Sequence, residues 1–147
     1  MAAIRRADAT WTGPLTTGSG FVSARSSGTF SDLAVSWAAR TEESNGKTSP
    51  EELVAAAHSS CYAMALSGAL ARAGTPPDEL DVTAVVTFDK LDPGWRIISS
   101  ALTVRGKVPG ISAADFATIA DQIKTGCPVS QALAGNVALS VEATLEV

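Results

Sequence analysis

The chain has 147 residues, 46% hydrophobic and 18% charged, which is enough apolar material for a packed core and too much for a disordered chain. Fifteen acidic against eleven basic residues leave a net charge of −4, and Arg5–Arg6 is the only adjacent basic pair, so a phosphate-neutralising nucleic-acid surface is excluded. No apolar run reaches the ~18 residues of a membrane span, and Arg5, Arg6 and Asp8 stand where a signal peptide would be apolar, so a single domain over 1–147 in the cytoplasm is expected.

Residues 9–40 read as short strands between polar turns, with Thr12-Gly13-Pro14, Thr16-Thr17-Gly18-Ser19-Gly20 and Ser26-Ser27-Gly28 as breakers. Leu33-Ala34-Val35-Ser36-Trp37 alternates as a half-buried strand does. After a polar loop over 42–47 comes the clearest helix start in the chain. Ser49 is a fit N-cap, and Pro50 takes the first helical position, where its missing N–H costs nothing. Glu52 completes a capping box with Ser49, and Glu51 and Glu52 suit the positive helix end. Gly74 ends the run and Pro76-Pro77 prevent its resumption.

The spacing predicts a helix over 50–73, ~36 Å long at about 1.5 Å per residue. Leu53, Val54, Ala57, Cys61, Met64, Ala65, Leu66 and Leu70 make it apolar around much of its circumference, so it needs burial on most sides. A chain of this length struggles to wrap such a helix alone, which predicts a partner chain over one face.

Further on, Val82, Ala84, Val86 and Phe88 share one face of a strand, and Arg96–Val108 reads as a second. Asp92-Pro93-Gly94 between them predicts an antiparallel hairpin. Ser112, with Asp115 three residues on, caps a helix expected to run to Thr125. Cys127 then stands at the N-cap of a short helix over 128–133. Val137, Leu139, Val141, Leu145 and Val147 alternate with polar residues in a terminal strand with one wet face.

Two cysteines and one histidine are too few for a four-ligand structural zinc site, and a reducing cytosol argues against a structural disulfide. Cys127, at a helix N-terminus, is placed to favour its thiolate. Cys61 is mid-helix and lacks that help. Either it is a small buried side chain in an alanine-rich helix, or a nearby arginine, held in turn by a carboxylate, activates it. His58 shares a helix face with Cys61, and a Cys–His pair is one activation route. A histidine satisfied by another polar partner is the preferred reading, because no oxyanion hole or orienting Asn or Asp is marked. No Cys-x-x-Cys motif points to a general thiol–disulfide oxidoreductase.

The run Thr48-Ser49-Pro50-Glu51-Glu52-Leu53-Val54-Ala55-Ala56-Ala57-His58-Ser59-Ser60-Cys61 resembles the TSPEELxAAAHxxC signature of the OsmC/Ohr family, and Tyr62 to Ser67 continues it. Val108-Pro109-Gly110-Ile111 and Gly126-Cys127-Pro128-Val129-Ser130-Gln131-Ala132-Leu133 resemble the family's later blocks. Ala9 to Gly13 and Asp89 to Gly94 match as well, so the resemblance covers nearly the whole chain.

It implies an α+β, OsmC-like fold: an intertwined homodimer with long central helices and antiparallel sheets, in accord with the partner expected for the 50–73 helix. It also implies a thiol peroxidase that reduces organic hydroperoxides, and hydrogen peroxide less well, without metal or organic cofactor. By the same resemblance Cys61 is the peroxidatic thiol and Cys127 the resolving one, with an external dithiol as reductant, of the lipoyl type by analogy with the Ohr branch. Arg40 matches the arginine of the OsmC branch and Glu51 the glutamate that orients it. The Gly-rich loop at 16–20 lacks the Ohr arginine, and His58 also fits the OsmC branch. Arg25 is a rival to Arg40, with a surface role as its simpler reading. Along one helix Glu51 and Cys61 are separated by ~15 Å of rise, so Glu51 of one chain is expected to serve Cys61 of the other. The alternative within the same fold is a non-catalytic dimer that binds an apolar ligand at its interface.

Overall fold

Strand-forming residues near the N-terminus pair into a three-stranded antiparallel sheet, β1 (Ala7–Thr12), β2 (Ser19–Ala24) and β3 (Leu33–Val35), in that order. The structure, a computed structural model, describes residues 1–147. It divides them into two units, Met1–Leu53 and Val54–Val147. β3 stops earlier than its alternation implies. The Ser36 side chain accepts the Ala39 N–H at 3.1 Å and caps a short helix, α1 (Trp37–Thr41). A side-chain acceptor for an otherwise orphaned N–H favours helix over continued strand. Trp37 and Arg40 are therefore helical.

The long helix α2 (Pro50–Arg72) starts in the first unit and continues through the second. Ser49 Oγ accepts the Glu52 N–H at 3.1 Å, as its N-cap position predicts. The expected reciprocal half of the capping box is not made. Glu52 instead receives the Thr48 hydroxyl at 2.7 Å, which ties the preceding loop to the helix start. At the other end Gly74 has φ +86°, a left-handed conformation that suits glycine, and the Thr75 N–H donates to Leu70 O.

The second unit carries the hairpin β4 (Glu79–Lys90) and β5 (Trp95–Lys107), whose register runs from Glu79 opposite Lys107 to Lys90 opposite Trp95. β6 (Ala138–Leu145) joins the free side of β5 in parallel. The other strand pairs are antiparallel, as expected, and an isolated parallel bridge joins Val35 to Thr48. β6 departs from that pattern because α3 (Ala113–Ile123) and α4 (Pro128–Leu133) lie between it and β5 in sequence, and a parallel neighbour requires such a crossover. α3 ends at Ile123, short of the expected Thr125.

His58, Tyr62, Leu66 and Leu70 form a fully buried stripe along α2 at every fourth position. Tyr62, Leu66 and Leu70 share one core with Leu102 and Val104 of β5 and Phe116 and Ala120 of α3. The Tyr62 hydroxyl donates to Ala120 O at 2.7 Å, so the ring is buried without an unpaired oxygen. Gly106 of β5 makes room for α3: a Cβ there would lie 2.6 Å from the Phe116 ring. Met64, on another face of α2, is 70% exposed in the single chain. By length and mean hydropathy alone α2 could cross a bilayer, although polar residues such as His58, Ser59 and Ser60 interrupt its apolar run. Its buried stripe is packed into the core of this unit.

Candidate active site

Two clusters hold the residues singled out from the sequence, one in each unit. In the first unit, α1 carries Arg40 and the first turn of α2 carries Glu51. Arg40 Nη2 donates to Glu51 Oε1 at 2.7 Å and Nε donates to Oε2 at 3.2 Å, a two-pronged charge-assisted pair. Glu51 is buried, whereas about a third of the Arg40 side chain remains accessible. The guanidinium carbon lies 5.5 Å from the Trp37 ring centroid, one helical turn back on α1. The arginine is thus fixed from two sides. A cavity of about 160 Å³ lies beside it, lined largely by Trp11, Leu15, Val35, Trp37 and Pro50.

Arg25 has a different setting. It pairs with Asp8 at 2.8 Å, both side chains being half-exposed. That agrees with its simpler surface reading and leaves Arg40 as the arginine joined to Glu51.

In the second unit, α2 carries Cys61 and the N-cap of α4 carries Cys127. Both thiols are free, Cys127 fully buried and Cys61 partly so. They are neighbours: Cys127 acts on Cys61, and the Val129 N–H in the first turn of α4 is turned onto the Cys61 sulfur. Burial pushes the Cys61 thiol above its ordinary range, and the adjacent Cys127 adds to that rise. The Val129 N–H opposes it by favouring the thiolate. The groups shifting Cys61 all belong to its own unit, and none is a cation.

Cys127 fills the N-cap position expected of it. Its sulfur accepts the Ser130 N–H at 3.2 Å and lies 3.0 Å from Ser130 Oγ. His58 does not engage Cys61. Its Nδ1 lies 2.6 Å from Ser100 Oγ and its Nε2 2.8 Å from Ser130 Oγ, all three residues being fully buried. The polar-partner reading of His58 is the one the structure bears out. Burial also lowers its pKa below the ordinary histidine value and favours neutral imidazole.

Ser130 and Ser100 were not legible as participants. Ser130 had a faint signal, three residues after a cysteine at a helix N-cap; Ser100, a small polar residue inside a strand, had none.

With this geometry in place, comparison with known proteins identifies its class. Residues 42–142 match the family model for OsmC-like proteins. The chain is 41% identical over 138 residues to peroxiredoxin OsmC of Escherichia coli (strain K12), covering 94% of this chain and 95% of that protein. It is 30% identical to the organic hydroperoxide resistance protein OhrA of Bacillus subtilis, over 76% of this chain and 77% of the relative. Among solved structures, an organic hydroperoxide resistance protein from Elizabethkingia anophelis superposes with a TM-score of 0.72 at 25% identity, covering 99% of both chains. The protein belongs to the OsmC family. Within it, the chain is an oxidoreductase of the peroxiredoxin type.

Proposed function

We propose that the protein reduces organic hydroperoxides to alcohols, with Cys61 as the peroxidatic thiol and Cys127 as the resolving thiol. The observation that carries this reading is the pair of free, neighbouring thiols in one core, one of them with a backbone N–H turned onto its sulfur. The Cys61 thiolate attacks the distal peroxide oxygen, the O–O bond breaks, and the leaving alkoxide takes a proton to become the alcohol. Cys61 is left as a sulfenic acid. Cys127 displaces its oxygen as water and closes a disulfide, and an external dithiol, of the lipoyl type by analogy with the Ohr branch, returns both thiols.

This scheme needs a cation at Cys61, because burial holds that thiol protonated. Arg40 is bound to Glu51 at the start of α2, and Cys61 lies ~15 Å further along the same helix. The functional unit is therefore a homodimer in which the Arg40–Glu51 pair of one subunit serves Cys61 of the other. The apolar lining beside Arg40 suits the organic tail of a hydroperoxide better than hydrogen peroxide. A reducing cytoplasm is the compartment in which this thiol pair would be kept ready.

The test is consumption of cumene hydroperoxide and hydrogen peroxide, with a dithiol reductant, by the wild type and by Cys61→Ser. Faster turnover of the organic peroxide by the wild type, an inactive variant and a peroxide-induced Cys61–Cys127 disulfide by mass spectrometry are the expected results. Two thiols that survive one equivalent of hydroperoxide would leave a non-catalytic ligand-binding dimer in its place.

A further inference from the structure

The peroxidase chemistry uses two cysteines and an arginine–glutamate pair, and it leaves unexplained why Cys127 ends a buried row of four side chains: Ser100, His58, Ser130 and Cys127. They come from β5, α2, α4 and the α4 N-cap. Each is fully buried, and the links are 2.6, 2.8 and 3.0 Å in that order. The row ends on the sulfur assigned as resolving thiol.

We propose that Ser130 and His58 form a proton relay for Cys127, in which Ser130 touches the reacting sulfur and His58 is a positioning residue that receives the proton through it. The proposal rests on the peroxidase reading above. Ser130 has a single hydroxyl proton and lies between two groups. With the proton directed to His58 Nε2, its oxygen accepts the Cys127 S–H. With the proton passed on to Nε2, the same oxygen takes the thiol proton, and the new hydroxyl donates to the sulfur. Nδ1–H donates to Ser100 Oγ in both arrangements and holds the ring in the required tautomer. The two states differ only in hydrogen positions.

The Ser130 N–H, 3.2 Å from the sulfur, stays in place throughout and favours the developing thiolate. Burial keeps His58 neutral at rest, so its Nε2 lone pair is available.

The step balances. The S–S bond forms between Cys127 and Cys61 as the S–O bond of the sulfenic acid breaks; the Cys61 sulfur is reduced and the Cys127 sulfur oxidised by the same electron pair. The Cys127 proton passes to Ser130 as the Ser130 proton passes to His58. The departing hydroxide takes a proton from solvent, and His58 gives the relayed proton back to solvent, leaving one disulfide and one water.

The experiment mixes the reduced protein with one equivalent of cumene hydroperoxide and follows two phases: sulfenic acid at Cys61, trapped with dimedone, and the Cys61–Cys127 disulfide, by mass spectrometry. Wild type, Ser130→Ala, Ser130→Thr and His58→Gln are compared. Ser130→Ala and His58→Gln should slow disulfide closure by about tenfold to a hundredfold, the size expected for loss of acid–base assistance, so that sulfenic acid accumulates. Ser130→Thr, which keeps the hydroxyl, should recover most of the rate. His58→Gln retains a hydrogen-bonding group but no base, so closure at the wild-type rate in that variant overturns the relay.

Equal slowing of both phases would mark a structural role and overturn it too. In the wild type, which carries no folding penalty, closure should slow about twofold in deuterium oxide. A closure rate indifferent to the isotope also overturns the relay. If no sulfenic acid forms in the wild type, the peroxidase reading fails and the relay falls with it. Normal sulfenic acid with closure indifferent to Ser130 and His58 removes the relay alone.

Discussion

The two clusters solve opposite electrostatic problems. Arg40 and Glu51 are a full ion pair with the carboxylate buried and the guanidinium partly open to solvent. Ser100, His58, Ser130 and Cys127 form a fully buried row in which burial favours neutral imidazole. A fixed cation stabilises an anion more strongly than a neutral dipole does, and burying a charge costs least where it is paired and one partner keeps some solvent. Moving a proton requires groups whose charge can come and go, and burial favours their neutral forms. In the proposed scheme the first cluster serves thiolate formation and peroxide attack, and the second serves closure of the disulfide.

The harshest way to break this division is to remove its charge. Arg40→Ala should cut peroxide-dependent oxidation of Cys61 at neutral pH by about a hundredfold, the size of one charge-assisted interaction of about 3 kcal/mol. Raising the pH should restore part of the loss, because hydroxide then does what the cation did. Arg40→Lys should recover little, since a lysine cannot make the two-pronged contact with Glu51. Stopped-flow rates for the three proteins between pH 6 and 10 decide the matter. A loss that no pH recovers would mean that Arg40 holds the fold rather than the thiolate.

Glu51→Gln sharpens the same side. It leaves Arg40 with a neutral partner in a buried position, at a cost of about 1–3 kcal/mol in unfolding free energy. The attack rate should fall by less than in Arg40→Ala, because the cation remains but is held loosely. Urea unfolding and the same stopped-flow assay read both effects. A variant as stable as the wild type would mean that the carboxylate orients nothing.

The two sides also differed in how much of them could be read from sequence. Pro50, Glu51 and Cys61 sit inside a contiguous signature, and helix signals at Ser49 and Gly74 are local, so this side was legible. The short α1 was missed because Leu33–Trp37 carries strand periodicity, and only the cap made by Ser36 on Ala39 N–H overrides it. The Glu52 contact was misassigned because two hydroxyls, Ser49 and Thr48, compete near one helix start. On the other side the N-cap of Cys127 and a polar partner for His58 were legible, but the serines that join them were not. Ser100, His58 and Ser130 are distant in sequence, and meet only through the hairpin and the crossover that brings α4 to α2. No periodicity encodes such a meeting. The parallel entry of β6 likewise depends on the crossover, which alternation within the strand does not report.

On the relay side, acid offers a gentler probe. The folded protein holds His58 below its unfolded value of about 6.5, so the unfolded chain binds more protons once the pH drops beneath that value. Stability from neutral His58 is fully present above about pH 6.5 and is lost as the pH falls from there toward the lower folded pKa. The melting temperature should therefore decline from pH 7 to pH 5.5 in the wild type. The decline should be shallower in His58→Gln, whose side chain does not titrate, even though that variant starts from lower stability. Parallel curves for the two proteins would show that His58 does not couple folding to pH.

The smallest effect belongs to the other arginine–carboxylate pair. Arg25 and Asp8 meet at 2.8 Å, nearly the distance of Arg40 Nη2 from Glu51, yet both side chains are half-exposed. Solvent screening leaves such a pair worth about 0–1 kcal/mol. Arg25→Ala should accordingly shift unfolding by less than about 1 kcal/mol, with hydroperoxide turnover unchanged. Set against Glu51→Gln, this contrasts a half-exposed single contact with a two-pronged pair on a buried carboxylate at nearly the same distance. Comparable losses in both variants would mean that proximity alone, not the buried carboxylate, gives the Arg40–Glu51 pair its strength.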